Sequence, residues 1–343
     1  MTTVPGTAIT VSRTGGPDVL TAAHREFGLP GAGAVRVAVD AAGVAYGDLL
    51  LRNGLTPGTR LPATPGYDAV GTVDATGSGV HELSVGDRVL VHTGGTGGYA
   101  THVEARAQLA VPVPDGIDEV AAVALVLNYV TAWQMLTRVA AVGTGGTVVV
   151  HSAAGGVGSA LAELAAVRGL HVIGTASRTR IGTLEARGIT AVVREPGWAG
   201  AVRKIAPDGV DAVFDGIGGH VGRESFGLLG AGGHLVTYGA SGALKDGRRS
   251  LVGLARAGMG GVRPSALTLL RRGVAVSGYL SATFVPAHPT WFREDLTALL
   301  ALLADGVIAP AIAARLPLTQ AAEAHRLLAR GVPGKIVLTV GAP

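Results

Sequence analysis

The chain has 343 residues, 48% of them hydrophobic and 15% charged, with a formal net charge of +4 and no cysteine. This composition describes a globular chain with ample core, predicts two domains and excludes an intrinsically disordered protein. Without cysteine there is no disulfide, no thiolate zinc site and no cysteine nucleophile. The basic residues are scattered and form no aromatic-basic face, so nucleic acid is not an expected partner. No basic segment followed by an apolar one opens the chain, and the most apolar run, 120–130, is too short to span a bilayer. The expectation is a cytoplasmic protein with no membrane partner.

Up to about residue 124 the chain reads as short strands and turns. Apolar residues partly alternate over 34–41 and 69–75, and a strand is expected at 87–91. Pro57-Gly58, Pro65-Gly66 and the glycine-rich 94–98 punctuate them, which predicts a β-rich, barrel-like domain. From about 125 the pattern changes. A helix near 129–139 precedes strands at 147–151, 171–175, 190–193, 211–214, 234–238 and 274–279. Strands alternating with helices predict a parallel sheet covered on both faces. Residues 241–272 read as an insertion after a strand, basic and partly helical. Helices at 291–303 and 321–329 and a strand at 335–340 complete the chain.

The most informative stretch begins with Val148, Val149 and Val150, a β-branched run that reads as a buried strand. Ala153, Ala154, Gly155, Gly156, Val157 and Gly158 follow, and 159–168 reads as a helix. Strand, glycine turn and helix form the first unit of a dinucleotide-binding fold; read alone, they also suit a generic parallel-sheet crossover. Gly155 would let the backbone approach a pyrophosphate, Gly158 would let the helix pack on the sheet, and the helix N-terminus would face the phosphates. Ala153 replaces the usual first glycine. The next strand ends where NAD-binding sites carry an acid for the ribose 2′-hydroxyl. Here stand Ser177, Arg178 and Arg180, with no acid before Glu185. A guanidinium can hold a 2′-phosphate bidentately, so NADPH is expected over NADH, the alternative being a solvated basic loop.

The order of segments resembles the zinc-independent medium-chain dehydrogenase/reductases of the quinone oxidoreductase (zeta-crystallin-like) group. The matching pieces run from Ala42-Gly43-Val44 to Asp48, then Pro65-Gly66-Tyr67-Asp68-Ala69-Val70-Gly71, Val85-Gly86-Asp87-Arg88-Val89 and Gly97-Gly98-Tyr99-Ala100. They continue through Asn128-Tyr129-Val130-Thr131-Ala132-Trp133, 153–158, Asp215-Gly216-Ile217-Gly218-Gly219 and Gly334-Lys335-Ile336-Val337. The resemblance implies an α/β chain with a split GroES-like, β-rich catalytic domain (1–124 and 283–343) around a Rossmann domain with a doubly wound parallel sheet (125–282). It implies an active cleft between the two domains and homodimers formed through the edge of the Rossmann sheet. Metal-dependent relatives place their ligands where this chain has Ala45, Tyr46, Tyr67 and Asp68, and the ten histidines show no paired ligand spacing, so no metal is expected.

The resemblance also assigns site residues. Thr131 corresponds to a residue beside the nicotinamide carboxamide. Ala154, Gly155, Gly156, Val157 and Gly158 correspond to the pyrophosphate turn, and Ser177, Arg178 and Arg180 to the 2′-phosphate region. Arg194 stands where relatives place a residue against the adenosine; Gly239 and Ala240 end a strand beside the nicotinamide. Lys335 corresponds to a residue near the cofactor, or is a surface charge. Many relatives carry Asn where this chain has Ala45, and enoyl-thioester reductases carry Tyr near Leu55 or Thr56. With both missing, Tyr46 is the candidate catalytic donor and Asp48 its support or a backbone anchor; Tyr67 and Tyr99 line the pocket or serve structure. The expected function is NADPH-dependent reduction of small-molecule quinones or α,β-unsaturated carbonyls, with a reductase of specialised metabolism as one version. The alternative is a non-redox binding or cyclising protein that keeps the nucleotide fold.

Overall fold

The structure, a computed structural model, describes residues 3–56, 58–245, 247–250 and 261–341. The chain divides into two compact units, one of residues 1–130, 246–248 and 281–343, the other of 131–245 and 249–280.

In the second unit six strands form one sheet in the spatial order Thr190–Val193, His171–Ala176, Thr147–His151, Val210–Asp215, Leu229–Thr237, Ala275–Gly278. Every neighbouring pair is parallel. Numbered within the sheet by chain order, this is 3-2-1-4-5-6, the doubly wound order, with its switch point between Thr147–His151 and Val210–Asp215. Val148, Val149 and Val150 are fully buried because their strand is central and both faces are covered. Val149, Ile173, Val213 and Leu235 share a core with Trp198, Val202 and Val221 from the covering helices. The strands expected from the sequence are present within a few residues. The segment 241–272 contains the helix Ala266–Arg272; its residues 251–260 lie outside the described ones.

In the first unit a seven-stranded sheet runs Ile312–Pro317, Lys335–Thr339, Ala34–Val44, Asp68–Thr76, Arg88–His92, Ala110–Pro112, with His102–Arg106 also pairing on Ala34–Val44. The C-terminal strand pairs antiparallel with Ala34–Val44, Ile336 opposite Val44, so the two ends of the chain share one sheet. A hairpin of Val4–Val11 and Leu20–Phe27 precedes it. The sequence reading missed this hairpin: the second strand buries only its two end residues and shows no apolar alternation.

The helix expected at 129–139 begins ten residues earlier. It runs over Glu119–Val139, interrupted by π-helical turns at Leu125–Tyr129 and Met135–Val139. The Asp118 side chain caps it, accepting from Ala121 N at 2.9 Å. By length and composition alone this helix could cross a membrane, which corrects the view that the apolar run is too short. However, 83% of its most apolar window is buried, which is how a core helix passes the same test.

Candidate functional site

The nucleotide turn is built from the central strand outward. His151 ends that strand, fully buried. Its Nδ1 lies 2.8 Å from Thr175 Oγ1 and its Nε2 2.8 Å from Ser225 Oγ. Burial pushes its pKa down to about 3, so the ring is a neutral strut between two strands and a helix. The chain then reverses at Ser152, whose φ of 53° is left-handed for a non-glycine residue. Ala153 N donates to Thr175 O and Gly155 N to Ser152 O. The helix Gly156–Val167 starts at once, with Gly155 as its N-cap. Its first-turn amides at Gly156, Val157 and Gly158 have no intrahelical acceptor, and the positive end of its dipole sits at the carboxyl end of the central strand. A Cβ on Gly158 would stand 2.3 Å from Ser152 O and 2.8 Å from Ser152 C, so only glycine permits this packing. Ala153 and Ala154 are buried in the turn.

The second strand leads into a short turn, Arg178–Arg180, with Ser177 before it. Ser177 Oγ lies 3.2 Å from Thr179 Oγ1. Arg194 follows the third strand, its N–H donating to Ala176 O. Its Nε is buried with no hydrogen-bond partner among the described residues, and burial lowers its pKa while Asp215 opposes that shift. Asp215 ends the fourth strand, fully buried, accepting from Ile217 N at 2.8 Å and Gly218 N at 3.0 Å. Gly239 and Ala240 follow the fifth strand, where Ser241 N donates to Gly216 O. Thr131 is buried and its Oγ1 has no hydrogen-bond partner among the described residues. These residues fit a dinucleotide: a turn that a side chain would fill, a basic strand end, and an unsatisfied hydroxyl at the position assigned to the carboxamide.

The sequence reading missed one member of this group. Glu195 pairs with Arg178, whose Nε donates to Oε1 at 3.1 Å. Strand register carried the signal. Val193 lies opposite Ala176 and Arg194 N donates to Ala176 O, so the segment carrying Glu195 leaves its strand beside the one carrying Arg178.

In the first unit Asp48 is fully buried. Its Oδ2 accepts from Ala45 N at 2.8 Å and from Tyr99 Oη at 2.8 Å, and its Oδ1 from Gly66 N at 2.9 Å. It therefore ties the start of helix Tyr46–Arg52 to the Pro65-Gly66 turn. Burial raises its pKa to about 7 against the lowering effect of these bonds. Tyr99 Oη also lies 3.3 Å from His325 Nε2, and burial drives that ring down to about 3. Tyr46 opens the helix, partly buried, its phenol pushed well above the ordinary value by desolvation. Tyr67 is likewise pushed up, to about 12.

Lys335 is not a surface charge. It is 2% exposed, and its Nζ stands 2.7 Å from Asp68 Oδ2, itself fully buried. The pair crosses between Lys335–Thr339 and Asp68–Thr76, over Gly43 of the strand between them. A Cβ on Gly43 would come within 2.3 Å of Lys335 Cε. Of the four positions that metal-dependent relatives use, Asp68 is thus held by an ion pair, and Ala45 offers no ligand atom. Among the described residues no cluster of three or more His, Cys, Asp or Glu could hold a metal ion.

A glycine turn at the switch point of a doubly wound sheet defines the class: a dinucleotide-binding α/β fold. Comparison with known proteins narrows it. The family described as Alcohol dehydrogenase GroES-like domain matches residues 31–115, and the one described as Zinc-binding dehydrogenase matches 187–338. The Synaptic vesicle membrane protein VAT-1 homolog of Rattus norvegicus is 33% identical over 317 residues, 91% of this chain and 78% of that protein. A mycobacterial quinone oxidoreductase structure shares 32% identity with a TM-score of 0.81, covering 98% of this chain and 100% of that one. A second mycobacterial structure, complexed with NADPH, shares 32% identity with a TM-score of 0.83 over the same shares. The chain belongs to the zinc-independent medium-chain dehydrogenase/reductases, in the quinone oxidoreductase family.

Proposed function

We propose that this protein is an NADPH-dependent reductase of quinones or α,β-unsaturated carbonyls. The observation that carries the reading is the glycine cradle at the switch point, with Arg178 and Arg180 after the second strand and Arg194 after the third, on the same side of the sheet order. The NADPH-bound relative supports it.

Gly155, Gly156, Val157 and Gly158 would hold the pyrophosphate through backbone N–H groups, and Ser177, Arg178 and Arg180 the 2′-phosphate. Arg194 would flank the adenosine; Thr131 Oγ1, Gly239 and Ala240 would bound the nicotinamide. The bound cofactor supplies a hydride to an acceptor carbon. The chain's own task is to stabilise the oxygen anion that develops and to deliver a proton to that oxygen or to the α-carbon. With no metal ligand set among the described residues, hydrogen-bond donors would do this. Tyr46 is the proposed donor: it opens the helix after Ala45, and its phenol, protonated at neutral pH like any tyrosine, is pushed further up by desolvation, which suits a hydrogen-bond donor to the developing anion. Asp48 is a positioning residue: all its described bonds hold backbone and Tyr99, and they set the turn from which Tyr46 projects. Lys335 acts through Asp68 to shape the same sheet.

The test is oxidation of NADPH by purified protein against benzoquinones, naphthoquinones, enones and enoyl thioesters, with NADH in parallel. Turnover on one class with NADPH preferred supports the reading. In Tyr46→Phe, turnover should fall by about 10²-fold, the usual contribution of a positioned acid, with cofactor affinity unchanged. Unchanged turnover would make Tyr46 a packing residue. Tight NADPH binding without oxidation on any acceptor would replace the reading with the non-redox one.

We further propose a homodimer formed through Ala275–Gly278, the edge strand of the parallel sheet. Leu267 and Leu270, on the helix Ala266–Arg272 that precedes it in the chain, and Leu280 just after it are 53%, 79% and 58% exposed. An edge that is unpaired among the described residues, with exposed apolar side chains near it in the chain, suits an isologous contact with its own copy. Leu270→Arg should shift the mass by light scattering from dimer to monomer; a monomeric wild-type protein would remove the proposal.

A further inference from the structure

The arginine on which the 2′-phosphate reading rests is already occupied. Arg178 and Glu195 form a two-point fork, Nε to Oε1 at 3.1 Å and Nη2 to Oε2 at 2.5 Å. This is the arrangement a guanidinium uses for a phosphate monoester. Glu195 therefore covers the Nε–Nη2 edge of Arg178, one of the edges by which it could take a 2′-phosphate. Parallel pairing brings it near, since Val193 is registered with Ala176 and Arg194 N donates to Ala176 O. Both side chains are open to water, 71% and 50% exposed, so the fork can part. Arg194, directly before Glu195, has a buried Nε with no acceptor among the described residues and feels the like charge of Arg180.

We propose that Glu195 is a specificity-determining residue: its carboxylate competes with the cofactor's 2′-phosphate for Arg178 and so limits the preference for NADPH over NADH. The inference rests on the reading that this site takes a nicotinamide dinucleotide. When NADPH binds, the guanidinium exchanges one anion for another and the Glu195 carboxylate is released to solvent. When NADH binds there is no second anion, and the fork persists. An acid thus stands at the 2′ locus after all, supplied by the third strand rather than the second. It acts on the arginine instead of the ribose.

The experiment is calorimetric titration of NADPH and of NADH into the wild-type protein, Glu195→Gln, Arg178→Gln and the double variant. Glutamine keeps the size and removes the charge. In Glu195→Gln the Kd for NADPH should fall by up to about fivefold, the ceiling for releasing an exposed ion pair, with NADH unaffected. In the Arg178→Gln background the same substitution should change neither cofactor, because the competition is for that arginine. An unchanged NADPH-to-NADH ratio in Glu195→Gln overturns the inference. So does a selective loss of NADH affinity, which would mean that the carboxylate binds the ribose 2′-hydroxyl. So does an effect that survives in the Arg178→Gln background. Wild-type protein that binds neither dinucleotide would remove the cofactor reading itself, a result distinct from each of these.

Discussion

Lys335→Met should cost the first unit about 3–5 kcal/mol of stability, the range for removing one partner of a buried ion pair. Lys335 is 2% exposed and Asp68 0%. Among the described residues Asp68 Oδ1 has no hydrogen-bond partner and Oδ2 has Lys335, so the substitution leaves a buried carboxylate unpaired. The penalty is that of an unpaired buried charge rather than the net worth of the pair. The double variant Lys335→Met with Asp68→Asn should therefore recover part of the loss, because both charges leave together. Thermal unfolding followed by circular dichroism checks both. A single variant as stable as wild type would show that water reaches the pair. Gly43 belongs to the same arrangement, since Lys335 passes where its side chain would be.

Gly158→Ala should abolish useful nucleotide binding while leaving the fold standing. The added Cβ would meet Ser152 O at 2.3 Å, Ser152 C at 2.8 Å and Ala153 Cα at 2.9 Å, all within the turn. None of these is a flexible side-chain end, so the helix Gly156–Val167 must move off the turn or the turn must open. Overpacking of this kind costs about 1–3 kcal/mol. A displacement of about 1 Å at a positioned site costs about 10²-fold in catalytic efficiency. NADPH titration and steady-state assay measure the loss, and an unchanged far-ultraviolet spectrum shows that the sheet survives. NADPH affinity equal to wild type would take this turn out of the cofactor site.

Much of the second unit is legible in the sequence because its signals are local. Val148, Val149 and Val150 announce a buried central strand, and Gly158 lies only a few residues from the Ser152 carbonyl it must clear. The split of the first unit is not visible in any one segment. It came from family resemblance, and its physical basis is the pairing of Ile336 with Val44. Where the apolar pattern is silent, reading failed, as in the exposed strand Leu20–Phe27. It also stopped short in the helix Glu119–Val139, whose first turn is declared only by the Asp118 cap.

The sequence by itself determined the strands of the parallel sheet, where the glycine turn falls, and that no cysteine takes part in the chemistry, because each depends on residue type or near neighbours. Only the tertiary structure decided which charges meet. Arg178 meets Glu195 through the register of two strands, Lys335 meets Asp68 across a sheet joining the two ends of the chain, and Asp48 meets Gly66 and Tyr99 across separate turns. Hydrogen bonds and ion pairs act over about 3 Å. That proximity is set by register and packing between segments far apart in the chain, and no local pattern records it.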